Sequence, residues 1–280
     1  MSKSVKTWLI IAASLVVAGG MIFTGMMTVL KWDFTKLSTV NYETNEYKIG
    51  EDYKNISIIT KTADVLFVTT KEETSVVCHE QKNMKHSVSV QNGTLLIEIK
   101  DTRNWYEHIG INFGTSKITV YIPKAHYGEI SVKSSTGDIG IEKITANTLD
   151  LCVSTGGITV SEVDCSGDVK IKVSTGKTNL TDIKCKNLIS GGNTGDVCLK
   201  NVIATEKFSI ERSTGDIKLA ASDAAEIFIK TDTGDVKGSL LSEKVFVAQT
   251  DTGRIDVPKT VTGGKCEIST DTGDIKITVN

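Results

Sequence analysis

From Asn55 to the end of the chain, apolar and polar positions alternate with a period of two, as in Asp216-Ile217-Lys218-Leu219 and Glu226-Ile227-Phe228-Ile229-Lys230. That period places successive side chains on opposite faces of a strand and predicts strands with one buried face. The first thirty residues follow a different pattern. Thr7 to Leu30 carry no formal charge and lie between Lys6 and Lys31. As a helix, the apolar part from Trp8 would run about 34 Å, enough for a hydrocarbon core of about 30 Å. The run exceeds the apolar region of a cleavable signal peptide and no small-x-small cleavage site follows it, so we read an uncleaved signal anchor.

The alternation is organised by a repeat. Ser135-Thr136-Gly137-Asp138-Ile139 recurs in recognisable form seven more times, with its glycines at Gly137, Gly156, Gly176, Gly195, Gly215, Gly234, Gly253 and Gly273. The spacing is always 19 or 20 residues, and a Thr precedes every one of these glycines. Two residues after the glycine stand Ile139, Ile158, Thr178, Val197, Ile217, Val236, Ile255 and Ile275. Seven before it stand Ile130, Leu149, Val169, Leu188, Phe208, Ile227, Phe246 and Cys266. Each repeat therefore holds two short strands and two corners. One coil buries too little to order itself, whereas stacked coils share a core and bond edge to edge. The expected fold is all-β: a single-stranded β-solenoid of about eight coils, with a β-rich amino-terminal cap and one transmembrane helix before it. Thr-Gly-Asp is then corner chemistry, with Gly supplying positive φ and the neighbouring polar side chain bonding locally to the turn.

The boundaries that follow are a cytoplasmic stub over 1–6, the anchor over 7–30, a polar stalk over 31–54, the cap over 55–128 and the solenoid over 129–280. Asn92-Gly93 between two alternating runs predicts a hairpin inside the cap, and Thr62-Ala63-Asp64-Val65 reads as a degenerate copy of the repeat peptide. With 32 basic and 34 acidic residues, the chain offers no basic surface for nucleic acid.

These residues bring a family into view. The Ser-Thr-Gly-Asp-Ile repeats, the strand Ile118-Thr119-Val120-Tyr121-Ile122-Pro123-Lys124 and the single amino-terminal span resemble the bacterial putative-adhesin family, a domain of unknown function found as membrane-anchored β-solenoids. Asp33-Phe34-Thr35-Lys36-Leu37 and Trp105-Tyr106-Glu107-His108-Ile109-Gly110 look like its Firmicute branch. The resemblance implies an extracytoplasmic protein of the cell envelope, single-pass, with its carboxy-terminal domain outside. It carries no catalytic residues to transfer.

Several side-chain sets offer chemistry. Trp105, Tyr106 and His108 lie in a loop that interrupts the strands, as a ligand platform or as a cover for the end of the core. Asp232, Asp251 and Asp271 occupy one repeat position and should stack about 4.8 Å apart, where Ca²⁺ or plain solvation would relieve their repulsion. Arg254 is expected between Asp235 and Asp274 in the next column. The three Asp-Thr-Gly triplets match the loop of aspartic proteases in spelling, but that chemistry needs two loops converging on one shared proton. Cys165 and Cys185 should meet on adjacent rungs, either bonded or as small buried residues in a column shared with Ala146, Ala204 and Ala224. No cysteine pair shows C-x-x-C spacing, and no cofactor or metal is expected. The last rung, ending in Ile275, Ile277 and Val279, has no later residues to cover it and should present an open edge for self-association.

The function expected is a non-enzymatic, adhesin-like binding or scaffold module, membrane-bound through its helix and meeting cell-wall glycan or protein. The alternative is an envelope-stress sensor that signals through a membrane partner.

Overall fold

The computed structural model describes residues 2–37, 40–101 and 114–280. The chain divides into two compact units, one comprising Met1–Tyr42 with Arg103–Gly114, the other Glu43–Thr102 with Thr115–Asn280.

The first unit is dominated by the helix Lys3–Val29, with mean hydropathy 2.2 over its most apolar stretch. It is long and apolar enough to span a membrane or serve as a signal anchor. It begins four residues before the uncharged stretch, because the Ser2 hydroxyl accepts a hydrogen bond from the Val5 amide and caps its start. It closes with Lys31 and Trp32 in the left-handed region, and the Trp32 amide donates to the Met27 carbonyl at 2.8 Å.

The second unit is mostly β, and its pairing is dominated by parallel strands. The strands preceding each glycine corner stack in register on one side. Leu149 pairs with Ile130 and Val169, Leu188 with Phe208, and Phe208 with Ile227. The strands following the corner stack on the other side, with Ile158 between Ile139 and Thr178. Inward-facing Ile130, Leu149, Val169, Leu188, Val197 and Ile217 are fully or nearly fully buried. Each such side chain stabilises the stack by about 1.5–3 kcal/mol. Every coil adds its aliphatics to one continuous core.

Spatial order departs from chain order at both ends. The strand Glu226–Thr233 pairs not with Lys244–Thr252, the next in sequence, but with Gly264–Thr272. Gly264–Thr272 then pairs on its other side with Lys244–Thr252. On the opposite sheet, Ile275–Val279 likewise lies between Val236–Leu240 and Ile255–Asp256. The carboxy-terminal coil is thus inserted between the two coils that precede it. The open rung expected at Ile275–Val279 is interior, and the terminal rung is that of Gly253. The early coil behaves in the same way. Asn55–Thr60 sits between Thr94–Asp101 and His126–Thr136, and Ala63–Thr70 between Ser116–Pro123 and Ile139–Glu142.

The cap is therefore built of further coils of the same stack. Its outermost strands are closed by antiparallel neighbours: Met84–Gln91 on Thr94–Asp101, and Ser75–Gln81 on Ser116–Pro123. Asn92 (φ 50°) and Gly93 (φ 71°) make the predicted hairpin turn. Part of the segment read as a stalk belongs to this sheet. Tyr42–Lys48 is a strand that pairs with Ser75–Gln81, and Tyr47, Ile49 and Tyr53 pack on the core.

Candidate functional site

The glycine corners align along one edge of the stack and are held there twice over. Gly195 has φ +126°, a region costly for any side chain, and a Cβ built on it would collide with the carbonyl oxygen of Gly176 one rung below. The same collision joins Gly215 to Gly195, Gly234 to Gly215, Gly273 to Gly234 and Gly253 to Gly273. That order is the strand order again, with Gly273 before Gly253. Gly137, Gly156 and Gly176 complete the column from the other end.

The aspartate that follows five of these eight glycines has a role different from the local turn bond expected of it. Asp64 Oδ1 accepts from the Asp138 amide at 2.8 Å, and Asp138 Oδ1 from the Gly157 amide at 2.6 Å. Farther along, Asp216 Oδ1 accepts from the Asp235 amide, Asp235 Oδ1 from the Asp274 amide and Asp274 Oδ1 from the Arg254 amide. Each carboxylate bonds to the backbone of the next rung, so the motif fastens neighbouring coils. Asp64 takes its place in this ladder, as the degenerate Thr-Ala-Asp copy suggested. Arg254 stands at the end of the column, with Asp274 between it and Asp235.

The other corner has a signature absent from the sequence reading. Lys143, Glu162, Asp182, Asn201 and Ala221 all take φ between 48° and 59°. Their shared feature is position, six residues after the glycine, not residue type. Beyond this corner, Ala146, Cys165, Cys185, Ala204 and Ala224 form the expected buried column, and both cysteines are free thiols. Burial pushes each thiol up to about 12.

A buried polar island interrupts the aliphatic stripe. Arg212 is only 3% exposed, and its guanidinium donates to the hydroxyls of Thr178 (3.0 Å) and Ser190 (3.3 Å) and to the Glu211 carbonyl. A Cβ at Gly192 would collide first with the Val173 carbonyl oxygen of the neighbouring rung and would then lie 2.7 Å from a guanidinium nitrogen of Arg212. Nε has no hydrogen-bond partner, and burial lowers the group to about 10.

The terminal rung exposes apolar surface. The strand Lys244–Thr252 pairs on one side only among the described residues. Its inward-facing Phe246 and Ala248 are only partly covered, and Val245 (38%), Val247 (50%) and Ile255 (46%) are exposed. A groove of about 650 Å³ flanks it, lined by Ala204, Asp223, Ala224, Ser242, Lys244 and Gly264 among others. The Lys244 ammonium sits 2.7 Å from the Asp223 carboxylate, and Ser242 donates to the same group, which fixes the start of the strand.

Asp232, Asp271 and Asp251 follow one another in that order along an exposed column. Among the described residues, the one set of three ligand-type side chains whose donor atoms converge is Cys78, Glu80 and His86, inside the cap. Trp105, Tyr106 and His108 lie outside the described residues.

The chain belongs to the toastrack DUF4097 family, whose pattern matches residues 53–187 and again 164–280. No curated protein matches it. It is similar to a crystal structure of a putative adhesin from Bacteroides fragilis, at 18% identity over 85% of this chain and 97% of that one, with a TM-score of 0.46. A putative cell adhesion protein from Clostridium sporogenes is similar at 13% identity over 86% and 100%, TM-score 0.36. A putative adhesin from Parabacteroides merdae is similar at 12% over 85% and 96%, TM-score 0.31.

Proposed function

We propose that this chain is a membrane-anchored, extracytoplasmic and non-enzymatic binding module of the bacterial cell envelope, adhesin-like in its mode of contact. We further propose that it binds through the rung of Gly253, and that the occupant is the same rung of a second copy. The observation that carries this reading is the one-sided pairing of Lys244–Thr252, an unpaired backbone edge beside an uncovered end of the core. A second copy supplies the matching cross-section. In an antiparallel pair centred on Val247, Phe246 of each copy lies opposite Ala248 of the other, and the inward faces stay on one side. Such a contact is two-fold and self-complementary. The apolar helix supports the membrane placement.

The test is the mass of the full chain in detergent micelles, measured by light scattering over a range of concentrations. The proposal expects a dimer that Val247→Lys converts to monomer, because the two lysines would face each other across the pair. A wild-type chain that stays monomeric at the highest concentration, or a dimer indifferent to Val247→Lys, contradicts it.

A further inference from the structure

The cap holds a cluster that neither the repeat nor the open rung accounts for. Val76, Cys78 and Glu80 alternate along the strand Ser75–Gln81 with their side chains inward, and all three are 0% exposed. His86, on the strand Met84–Gln91 of the same hairpin, turns its ring toward them. The Cys78 sulfur, a Glu80 carboxylate oxygen and a His86 ring nitrogen all lie within 4.8 Å of one another. A core stripe that is otherwise aliphatic here carries a thiol, a carboxylate and an imidazole facing a single point.

We propose that Cys78, Glu80 and His86 form a buried metal site for Zn²⁺ or a divalent ion of similar softness. Sulfur, imidazole nitrogen and carboxylate oxygen are the donor types zinc takes together, whereas calcium and magnesium call for oxygen alone. The surroundings supply the outer contacts that a structural metal site needs. His86 Nε2 lies 2.9 Å from the Thr60 hydroxyl, which fixes the ring and leaves Nδ1 directed at Glu80 Oε2, 2.7 Å away. Glu80 Oε1 accepts from the Asn45 side-chain amide at 2.8 Å, and its Oε2 also accepts from the His86 backbone amide. Tyr47 donates to the His86 carbonyl. Charge balances as well. A thiolate and a carboxylate neutralise a dication, and loading releases the thiol proton to water, so the closed pocket goes from one negative charge to none.

The site joins three segments distant in sequence: Asn45 beside Glu80, the hairpin that carries the ligands, and Thr60 on the first coil. An ion there would lock the closed end of the stack. Because the ligands are fully enclosed, the ion enters as the cap folds, and a loaded chain should hold it against external chelators.

The full chain would be produced with zinc in the medium, purified in detergent, passed over a chelating resin and assayed for metal. A parallel sample refolded with Co²⁺ would be examined for thiolate-to-cobalt absorption. The proposal expects about one Zn²⁺ per chain, retained by Cys165→Ala and Cys185→Ala but lost by Cys78→Ser and His86→Gln, together with the cobalt band in wild type. If the Cys78 or His86 variants do not fold, the cobalt band in wild type and its survival in Cys165→Ala/Cys185→Ala decide the matter. Metal-free wild type from both routes, or metal that follows Cys165 and Cys185 instead of Cys78, overturns the assignment.

Discussion

Asp235 Oδ1 accepts a hydrogen bond from the Asp274 backbone amide at 2.7 Å, across 39 residues of sequence, although each coil is only 19 or 20 residues long. The intervening coil, that of Gly253, lies on the far side of Asp274. One hydrogen bond thus records both the rung-to-rung role of the aspartates and the insertion of the carboxy-terminal coil.

Removing that acceptor tests the ladder. Asp235 is held below its usual carboxylate range by its hydrogen bond to Lys237 and then by that to the Asp274 amide. Its folded-state value lies below its unfolded one, so its contribution is present above the unfolded value and is lost as pH falls through the folded one. Asp235→Ala should cost about 1 kcal/mol at neutral pH, discounted for its partial exposure. The loss should shrink below about pH 4. Denaturant titrations at both pH values check it.

The corner column predicts a contrast between glycines. Gly195→Ala meets both a forbidden φ and the Gly176 carbonyl, and should destabilise by at least about 3 kcal/mol. Gly93→Asn keeps a positive φ in open space and should change stability by less than about 1 kcal/mol. Thermal melts of the two variants compare them directly.

Most of this column was legible in the sequence, because positive φ restricts the residue to glycine wherever coils touch. The buried Ala/Cys column was legible for a similar reason, since only small side chains fit between rungs. The second corner was not, because Lys143, Asp182 and Ala221 share a backbone conformation and no side-chain chemistry. Coil order was hidden too. The spacing from Gly253 to Gly273 is the same 20 residues found elsewhere, and identical coils stack equally well in either order by pattern alone. Pro258 and Gly263-Gly264, which depart from the repeat in the returning segment, were the available signal. Arg212 and Glu80, not singled out from the sequence, both sit at inward positions of the alternation; period two was the available signal for their burial, and it carries nothing about their partners.

Arg212 should be a liability for stability. Its folded-state value, about 10, lies well below that of a free guanidinium. The folded state therefore binds the proton less well, and charged burial costs on the order of 3 kcal/mol at neutral pH. Arg212→Met should raise the melting temperature, with the unpaired Thr178 and Ser190 hydroxyls limiting the gain. A melt lowered by several degrees would show that the polar island is a net stabiliser.

The buried thiols predict sensitivity to alkali. Cys165, Cys185 and Cys266 are all pushed by burial from 9.0 to about 12. Their folded values are raised, so the folded chain keeps protons that the unfolded chain releases, and stability falls as pH rises from 9 toward 12. Each thiol contributes a slope of about 1.4 kcal/mol per pH unit. Cys165→Ala/Cys185→Ala, which matches the neighbouring alanines, should flatten that slope in denaturant titrations at pH 8 and pH 10.

The order of the coils is tested most directly by paired cysteines at exposed positions in a chain otherwise free of cysteine. Asp232→Cys/Asp271→Cys places the two sulfurs on adjacent rungs about 4.8 Å apart at the backbone, within disulfide range. Asp232→Cys/Asp251→Cys places them two rungs apart, at about twice that distance. Under mild oxidation the account predicts rapid intramolecular bonding of the 232–271 pair and none of the 232–251 pair. Bonding of 232–251 with 232–271 left open would mean that the coils stack in chain order, and would contradict it.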